Sequence, residues 1–224
     1  MNAPRPALVI FDLDHTLVHV DSFAGFCLGL ILRSWWRVAA TLPALPLLAA
    51  LAVFSRTRRA ALSAFVWVGT VGLDRRELEQ LMDAYVARRF ADGELVCARA
   101  VEALLEHRGA GARVLIATGC ESALAARVCR AIGAGELEVV GSALRPWCGG
   151  WIAKEHCHGA RKLALLQAQL ACERWDCVYT DSAADLPILQ RGERRIVVNP
   201  RPAALQKIAS ALGDRFELLA ERKP

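Results

Sequence analysis

The chain has 224 residues, 54% of them apolar, with 28 Lys+Arg against 23 Asp+Glu and a net charge of +5. A chain of this length forms one or two domains with a sizeable buried core. Its eight cysteines are scattered without a CxxC pair, which argues against a disulfide framework and for reduced thiols in a cytoplasmic compartment.

The charge is uneven. Between Asp21 and Asp74 there is no Asp, Glu, Lys or His, and that stretch holds Arg33, Arg37, Arg56, Arg58 and Arg59. The remaining 23 Lys+Arg balance the 23 Asp+Glu. Arginine combined with tryptophan and long apolar runs indicates an anionic membrane surface as partner rather than nucleic acid.

A short tail leads directly, with no leader segment recognised, into an apolar run at 7–12 that reads as a buried strand. Asp12 and Asp14 close it, and Thr16 follows. Residues two apart point the same way on a strand, and two acids side by side are costly unless a cation or a reaction uses them. A solvated acidic turn is the alternative. Three apolar pieces follow, at 23–32, 38–54 and 60–73, all read as helices. The middle one is uncharged and has 17 residues, short of the roughly 20 that span a bilayer. Trp35, Trp36 and Arg37 guard one end and Arg56, Arg58 and Arg59 the other, an interfacial pattern. If the acids must meet residues near 118 and 181, both flanks of the insert lie on one side of a membrane. A single crossing is then excluded, leaving a re-entrant hairpin or helices lying in the interface. The alternative is a helical cap whose apolar faces pack on one another.

From Asp74, an N-cap candidate, a helix is expected to about residue 90, and another over 94–108 stopped by Gly109 and Gly111. A strand at 114–117 ends in Thr118-Gly119. A helix at 121–132 closes at Gly133. Residues 139–152 read as a hairpin, with Trp147 and Trp151 either flapping over a site or packing across the strands. A helix over 160–174 carries Lys162 near its start. A strand at 177–180 ends in Asp181, followed by a short helix at 183–190, a strand at 196–198 and a helix at 203–212. Strands alternating with helices give an α/β fold with a doubly wound parallel sheet. The expected division is a core of 1–20 and 106–224, with an all-helical apolar cap at 21–105, of which 23–73 contacts the membrane.

Three strands thus end in Asp12/Asp14, Thr118 and Asp181, and such ends converge on one crevice in a doubly wound sheet. Carboxylates from two strands make a hard-oxygen site suited to Mg²⁺. With a hydroxyl and a lysine they match a phosphoryl group. Taken singly, Thr118 reads as a strand-end cap and Lys162 as a solvated helix residue. His156, Cys157, His158 and Cys148 match no standard zinc spacing.

FDLDHT, LIATG, CHGARKLALL and YTDSAADLPIL resemble, in order, the four motifs of the haloacid dehalogenase-like phosphohydrolases. IVVNP resembles the branch that includes phosphoserine phosphatase. The resemblance implies that Asp12 is a nucleophile forming an aspartyl-phosphate and Asp14 the general acid and base. It implies Mg²⁺ held by the Asp12 carboxylate, the Asp14 carbonyl and Asp181. Thr118, Gly119 and Lys162 would bind the phosphoryl group, with Asp185 and Ser182 supporting. Two positions depart from the commoner pattern: His15 stands where Gly is usual, and Ala184 where many relatives have Asn, removing one metal-shell hydrogen bond. The insert, from DSFAGF through LRSWWR and LPALPLLAALAVF to VWVGTVG, with GGW and CHG later, resembles the phosphatidylglycerophosphatase C branch of bacterial inner membranes. That implies a phospholipid phosphate substrate, cleaved at the cytoplasmic face, with Arg33, Trp35, Trp36, Arg37, Arg56, Arg58 and Arg59 as headgroup and membrane candidates. A cytoplasmic phosphatase of small esters, or a non-enzymatic membrane interaction protein on the same fold, are the alternatives.

Overall fold

The computed structural model describes residues 6–44 and 55–220. Residues 45–54 of the expected 38–54 helix lie outside the described residues. So do the side chains of Arg56, Arg58 and Arg59. Among the described residues no helix is long and apolar enough to cross a membrane.

The seven strands are β1 Leu8–Phe11, β2 Arg113–Glu121, β3 Glu138–Trp147, β4 Gly150–Glu155, β5 Trp175–Thr180, β6 Gly192–Val198 and β7 Glu217–Leu219. They lie in the order β4-β3-β2-β1-β5-β6-β7. All neighbours are parallel except the β3–β4 hairpin at one edge. The central strand is buried on both faces, which is why it reads as an unbroken apolar run. Its alternate residues feed two separate cores. Val9 and Phe11 face a cluster with Val114, Ile116 and Tyr179. Leu8 and Ile10 face one with Leu115, Val178 and Val197.

The first core is covered by α1 Ser22–Leu32, α3 Ser55–Thr70, α4 Arg75–Arg89, α5 Ala98–Gly109 and α6 Ser122–Ala131; α2 Trp35–Thr41 joins α1 to the stretch before α3. The second is covered by α7 Ala160–Leu170, α8 Leu186–Leu189 and α9 Pro202–Leu212. This is the doubly wound arrangement expected. Helix α4 starts as its sequence indicates. Asp74 and Glu77 form a reciprocal capping box, Glu77 N–H donating to Asp74 at 2.7 Å and Asp74 N–H to Glu77 at 2.8 Å.

Two helix boundaries and one strand show where the structure departs from the sequence reading. Helix α5 begins at Ala98 rather than near Glu94. The His19 N–H donates to the Leu95 carbonyl at 2.8 Å and the Cys97 N–H to the Leu17 carbonyl at 2.9 Å, so that segment pairs with the chain after β1 instead of winding. Helix α7 stops at Leu170, where Ala171 takes φ 48°, a left-handed cap that ends a helix without glycine. Strand β7 was not foreseen, because three residues with two exposed ones carry too little pattern.

The insert is tied to the sheet edge. Trp151 of β4 donates its indole N–H to the Leu73 carbonyl at 3.0 Å, and Trp67 of α3 donates to the Cys148 carbonyl at 3.2 Å. A Cβ on Gly150 would sit 2.9 Å from the Trp67 ring and 3.0 Å from the Val71 Cα, so only glycine lets the strand approach α3 this closely. Trp147 meets Trp67 edge-on at 6.4 Å. The two hairpin tryptophans therefore neither pair across the strands nor form a free flap; they clamp the insert.

Arg37 joins three segments. Its guanidinium donates to the carbonyls of Gly69 at 2.6 Å and Leu30 at 3.4 Å through one nitrogen, and of Val71 at 2.9 Å through the other. It thus serves the otherwise orphaned C-terminal carbonyls of α1 and α3 and, although read as a headgroup candidate, is turned inward. Trp35, by contrast, is 82% exposed. Arg37→Ala should destabilise the fold by about 2 kcal/mol, since hydrogen bonds from a charged donor are the stronger ones. Arg37→Lys should recover little of this, lacking the planar fork. Denaturant unfolding measures both; wild-type stability in Arg37→Ala would show that these bonds do not hold the insert.

Candidate active site

Asp12 follows β1 directly, and its N–H still donates to the Tyr179 carbonyl of β5 at 2.9 Å. The strand pairing therefore holds the acid at the carboxyl edge of the sheet. Lys162, in the first turn of α7, reaches across to it. Its ammonium lies 3.1 Å from the Asp12 carboxylate and 2.7 Å from that of Asp185. Only 7% of Asp12, 3% of Lys162 and 2% of Asp185 is exposed. A buried ammonium needs such partners, because alone it would shed its proton. Burial does push Lys162 toward neutrality, but Asp12 and Asp185 outweigh it and hold its pKa above the usual lysine value.

Buried hydroxyls set the remaining geometry. Thr180 donates to Asp185 at 2.8 Å and accepts the Ser182 N–H at 3.1 Å. Thr16 accepts the Asp181 N–H at 3.0 Å, locking the β1 turn to the end of β5. Ser142 of β3 donates to the Gly119 carbonyl at 2.7 Å and accepts the Cys157 N–H at 3.0 Å, so it fixes the end of β2 against the segment before α7. Sequence reasoning passed over Thr180 and Ser142. Thr180 was discoverable as the last residue of a strand ending in an acid, whereas Ser142 sits in a strand with no distinguishing pattern.

Asp12, Asp14, Gly119, Lys162, Asp181, Ser182 and Asp185 line one cavity of about 310 Å³. Thr118 is fully buried behind them and is not part of the cavity wall; its hydroxyl accepts the Cys120 N–H at 3.0 Å. His15 has φ 61°, a conformation that favours glycine. Ala184 also lines the cavity, its N–H donating to the Ser182 hydroxyl at 3.2 Å.

The acids crowd one another. Burial raises Asp12 well above the ordinary carboxyl range; Lys162 draws it back, and Asp185, Asp181 and Asp14 push it further up. Burial likewise pushes Asp14 up to about 6, although its carboxylate accepts the Ser22 N–H at 2.9 Å. Asp181 is raised for the same first reason. The pocket thus holds more negative charge than Lys162 balances. Among the described residues no three His, Cys, Asp or Glu side chains are arranged as a metal cluster. Two carboxylates, Asp12 and Asp181, and the Asp14 carbonyl are nonetheless the oxygen donors that Mg²⁺ takes together with waters, and a divalent cation would relieve the excess.

The rest of the cavity wall is of another kind. Phe23, Ala24 and Cys27 of α1 and Leu62, Phe65 and Val66 of α3 face the acids from the insert, with Leu144 and Ala153 of the hairpin beside them. His156 and His158, whose rings stack at 5.5 Å, complete the rim. Lys162 is the only Lys or Arg among the described lining residues.

Solved structures share this architecture. A protein of unknown function from Bordetella pertussis Tohama I is 21% identical, with 96% of this chain and 99% of that one covered and a TM-score of 0.71. Cytosolic 5′-nucleotidase IIIB bound to cytidine is 13% identical over 97% and 81% of the two chains, at a TM-score of 0.60. A phospho-aspartyl intermediate analogue of phosphoserine phosphatase is 14% identical over 91% of each, at 0.52. At such identities these matches establish the fold. The family model for haloacid dehalogenase-like hydrolases matches residues 9–190, from β1 through α8. Since that span takes in every strand end that supplies the cavity, this chain belongs to the haloacid dehalogenase-like hydrolase family.

Proposed function

We propose that the chain is a phosphomonoester hydrolase acting through an aspartyl-phosphate on Asp12. The observation that carries this reading is the buried ammonium of Lys162 held 3.1 Å from Asp12 at the edge of a cavity that Asp14 and Asp181 also line. An Asp12 oxygen attacks phosphorus and the ester P–O bond breaks. The leaving alkoxide takes its proton from Asp14. Ionised Asp14 then takes a proton from water, whose oxygen attacks phosphorus; the bond to Asp12 breaks and phosphate leaves. Lys162 and the backbone at Thr118-Gly119 offset charge on the phosphoryl oxygens. Asp12, Asp181 and the Asp14 carbonyl would hold a Mg²⁺ ion, which would supply further positive charge to the phosphoryl group. Asp185 and Thr180 keep Lys162 in place, and Ser182 shapes the turn after Asp181.

The substrate has two readings. The comparisons support a soluble phosphatase of small esters better, since the neighbours named for an activity are a nucleotidase and a phosphoserine phosphatase, and no described helix crosses a membrane. A specific observation favours a lipid phosphate, phosphatidylglycerophosphate by the resemblance of the insert. Among the described lining residues, the wall facing the acids is apolar and holds no arginine to pair with a carboxylate such as that of phosphoserine. Exposed Leu28, Leu32, Trp35 and Trp36 on α1 and α2 suit an interface. The cytoplasmic face of a bacterial inner membrane is the location under this reading, and the cytoplasm under the other.

Asp12→Asn should lose at least about a thousandfold in kcat yet fold, because Lys162 keeps Asp185. EDTA should abolish turnover and Mg²⁺ restore it. Substantial activity in Asp12→Asn would dismiss the aspartyl-phosphate, and indifference to EDTA the metal. For the substrate, kcat/KM should be compared for phosphoserine, glycerol 3-phosphate, hexyl phosphate and short-chain phosphatidylglycerophosphate. Burial at about 0.8 kcal/mol per methylene predicts that hexyl phosphate exceeds phosphoserine by at least about tenfold, with the lipid higher still. A preference for phosphoserine would sink the lipid reading and leave the soluble one.

A further inference from the structure

Among the described residues, two buried side-chain atoms make no hydrogen bond. One is Nε of Arg37, whose other two guanidinium nitrogens serve three carbonyls. The other is the hydroxyl of Ser22, a residue with no exposed surface. A buried hydroxyl without a partner carries a desolvation cost that alanine would not, so the fold alone gives no reason for serine here. The surroundings do. Ser22 opens α1, and its N–H is one of the first-turn donors that a helix cannot satisfy internally. That N–H donates to the Asp14 carboxylate at 2.9 Å. Asp21 caps the same turn, accepting the Ala24 N–H at 2.8 Å. The Ser22 hydroxyl is also near enough to act on Asp14: burial raises the Asp14 pKa, and the Ser22 N–H and hydroxyl both draw it back. Ser22 does not line the reaction cavity, so it reaches the chemistry only through Asp14.

We propose that Ser22 is the positioning residue of Asp14, its N–H holding the carboxyl throughout and its hydroxyl turning to donate to the carboxylate once the proton has passed to the leaving oxygen. The carboxylate left by that transfer accepts more hydrogen bonds than the carboxylic acid did. A change of the Ser22 side-chain rotamer supplies one without moving the N–H. Asp14 then keeps one orientation while it gives a proton to the leaving alkoxide and takes one from water. The inference rests on the phosphatase reading, which assigns Asp14 those two transfers.

The test compares Ser22→Ala with the wild type, as full chains, on two esters. Hexyl phosphate releases an alkoxide that needs a proton from Asp14, whereas p-nitrophenyl phosphate releases a phenolate that leaves without one. Ser22→Ala should keep or raise the melting temperature, because it removes an unpaired buried hydroxyl. Its kcat/KM, which covers the steps up to the aspartyl-phosphate, should fall about tenfold for hexyl phosphate. The fall for p-nitrophenyl phosphate should be smaller by a factor of at least about three. A merely structural serine would give no such dependence on the leaving group. Equal losses on the two esters would mean that the substitution disturbs the cavity as a whole, and no loss on either would mean that the hydroxyl is idle; both results overturn the proposal. Failure of the phosphatase reading looks different: the wild type then turns over neither ester, or Asp12→Asn turns over both, and the inference falls with that reading.

Discussion

A lysine that is 3% exposed cannot stay charged without help, and the active edge of the sheet is built to supply that help. Lys162 has one carboxylate on each side, at 3.1 and 2.7 Å. Breaking a buried pair by removing one partner typically costs 3–5 kcal/mol, so the three side chains constrain one another strongly. Asp12 is placed by β1, Asp185 by the turn after β5, and Lys162 by α7. The ion triad can form only if β1 and β5 are adjacent in the sheet and α7 packs across their ends. The strand order and the second core deliver that arrangement.

The hydroxyls do at short range what the sheet does at long range. Thr16 stitches the β1 turn to Asp181, Thr180 stitches Asp185 to Ser182, and Ser142 stitches β2 to the segment before α7. Thr16 and Thr180 each satisfy a backbone N–H beside the site and fix an acid at once, while Ser142, within β3, satisfies the Cys157 N–H; each buried hydroxyl thus removes a desolvation cost. The insert is fastened by the same logic. Arg37 serves carbonyls at the ends of α1 and α3, and Trp151 serves the carbonyl of Leu73. These bonds keep the apolar wall of α1 and α3 over the acids.

The strands β1, β2 and β5 and the acids that close β1 and β5 were legible in the sequence because a doubly buried strand must be an unbroken apolar run, and an acid at its end stands out. Lys162 was legible only through its order among the other motifs, since a lysine opening a helix is otherwise unremarkable. What the sequence hid depends on contacts between distant residues. Arg37 and Trp151 carry interfacial residue types, but Gly69 and Val71, which Arg37 serves, and Thr70 and Leu73, which Trp151 meets, lie 32 to 81 positions away. Nothing local distinguishes an arginine facing a headgroup from one facing carbonyls. The start of α5 was hidden in the same way, because Glu94 to Cys97 has ordinary helix composition and only pairing with residues 17–19 pulls it out of the helix. Thr118 has the residue type of a phosphate ligand, yet its side chain is turned onto a neighbouring N–H behind the wall that Gly119 forms.

Helix α1 shows how these constraints combine. It is SFAGFCLGLIL, apolar all round, and a helix of that kind needs a neighbour on every face. Phe23, Cys27 and Leu30, spaced i, i+4 and i+7, share the face that packs on α3 and the first core, and Phe23, Cys27 and the neighbouring Ala24 also wall the reaction cavity. Phe26 and Gly29 line the cleft to α4. Leu28 and Leu32 are exposed at 49% and 64%. The same three-turn segment therefore separates the reacting acids from the cleft to α4, with Asp21 capping its first turn next to the Asp14 carboxylate that accepts the Ser22 N–H. The first turn of α1 and the Asp14 carboxylate are thus joined directly through the Ser22 N–H. The Asp14 carboxyl, the group assigned to move the proton, is then the point at which the insert and the chemistry are mechanically joined.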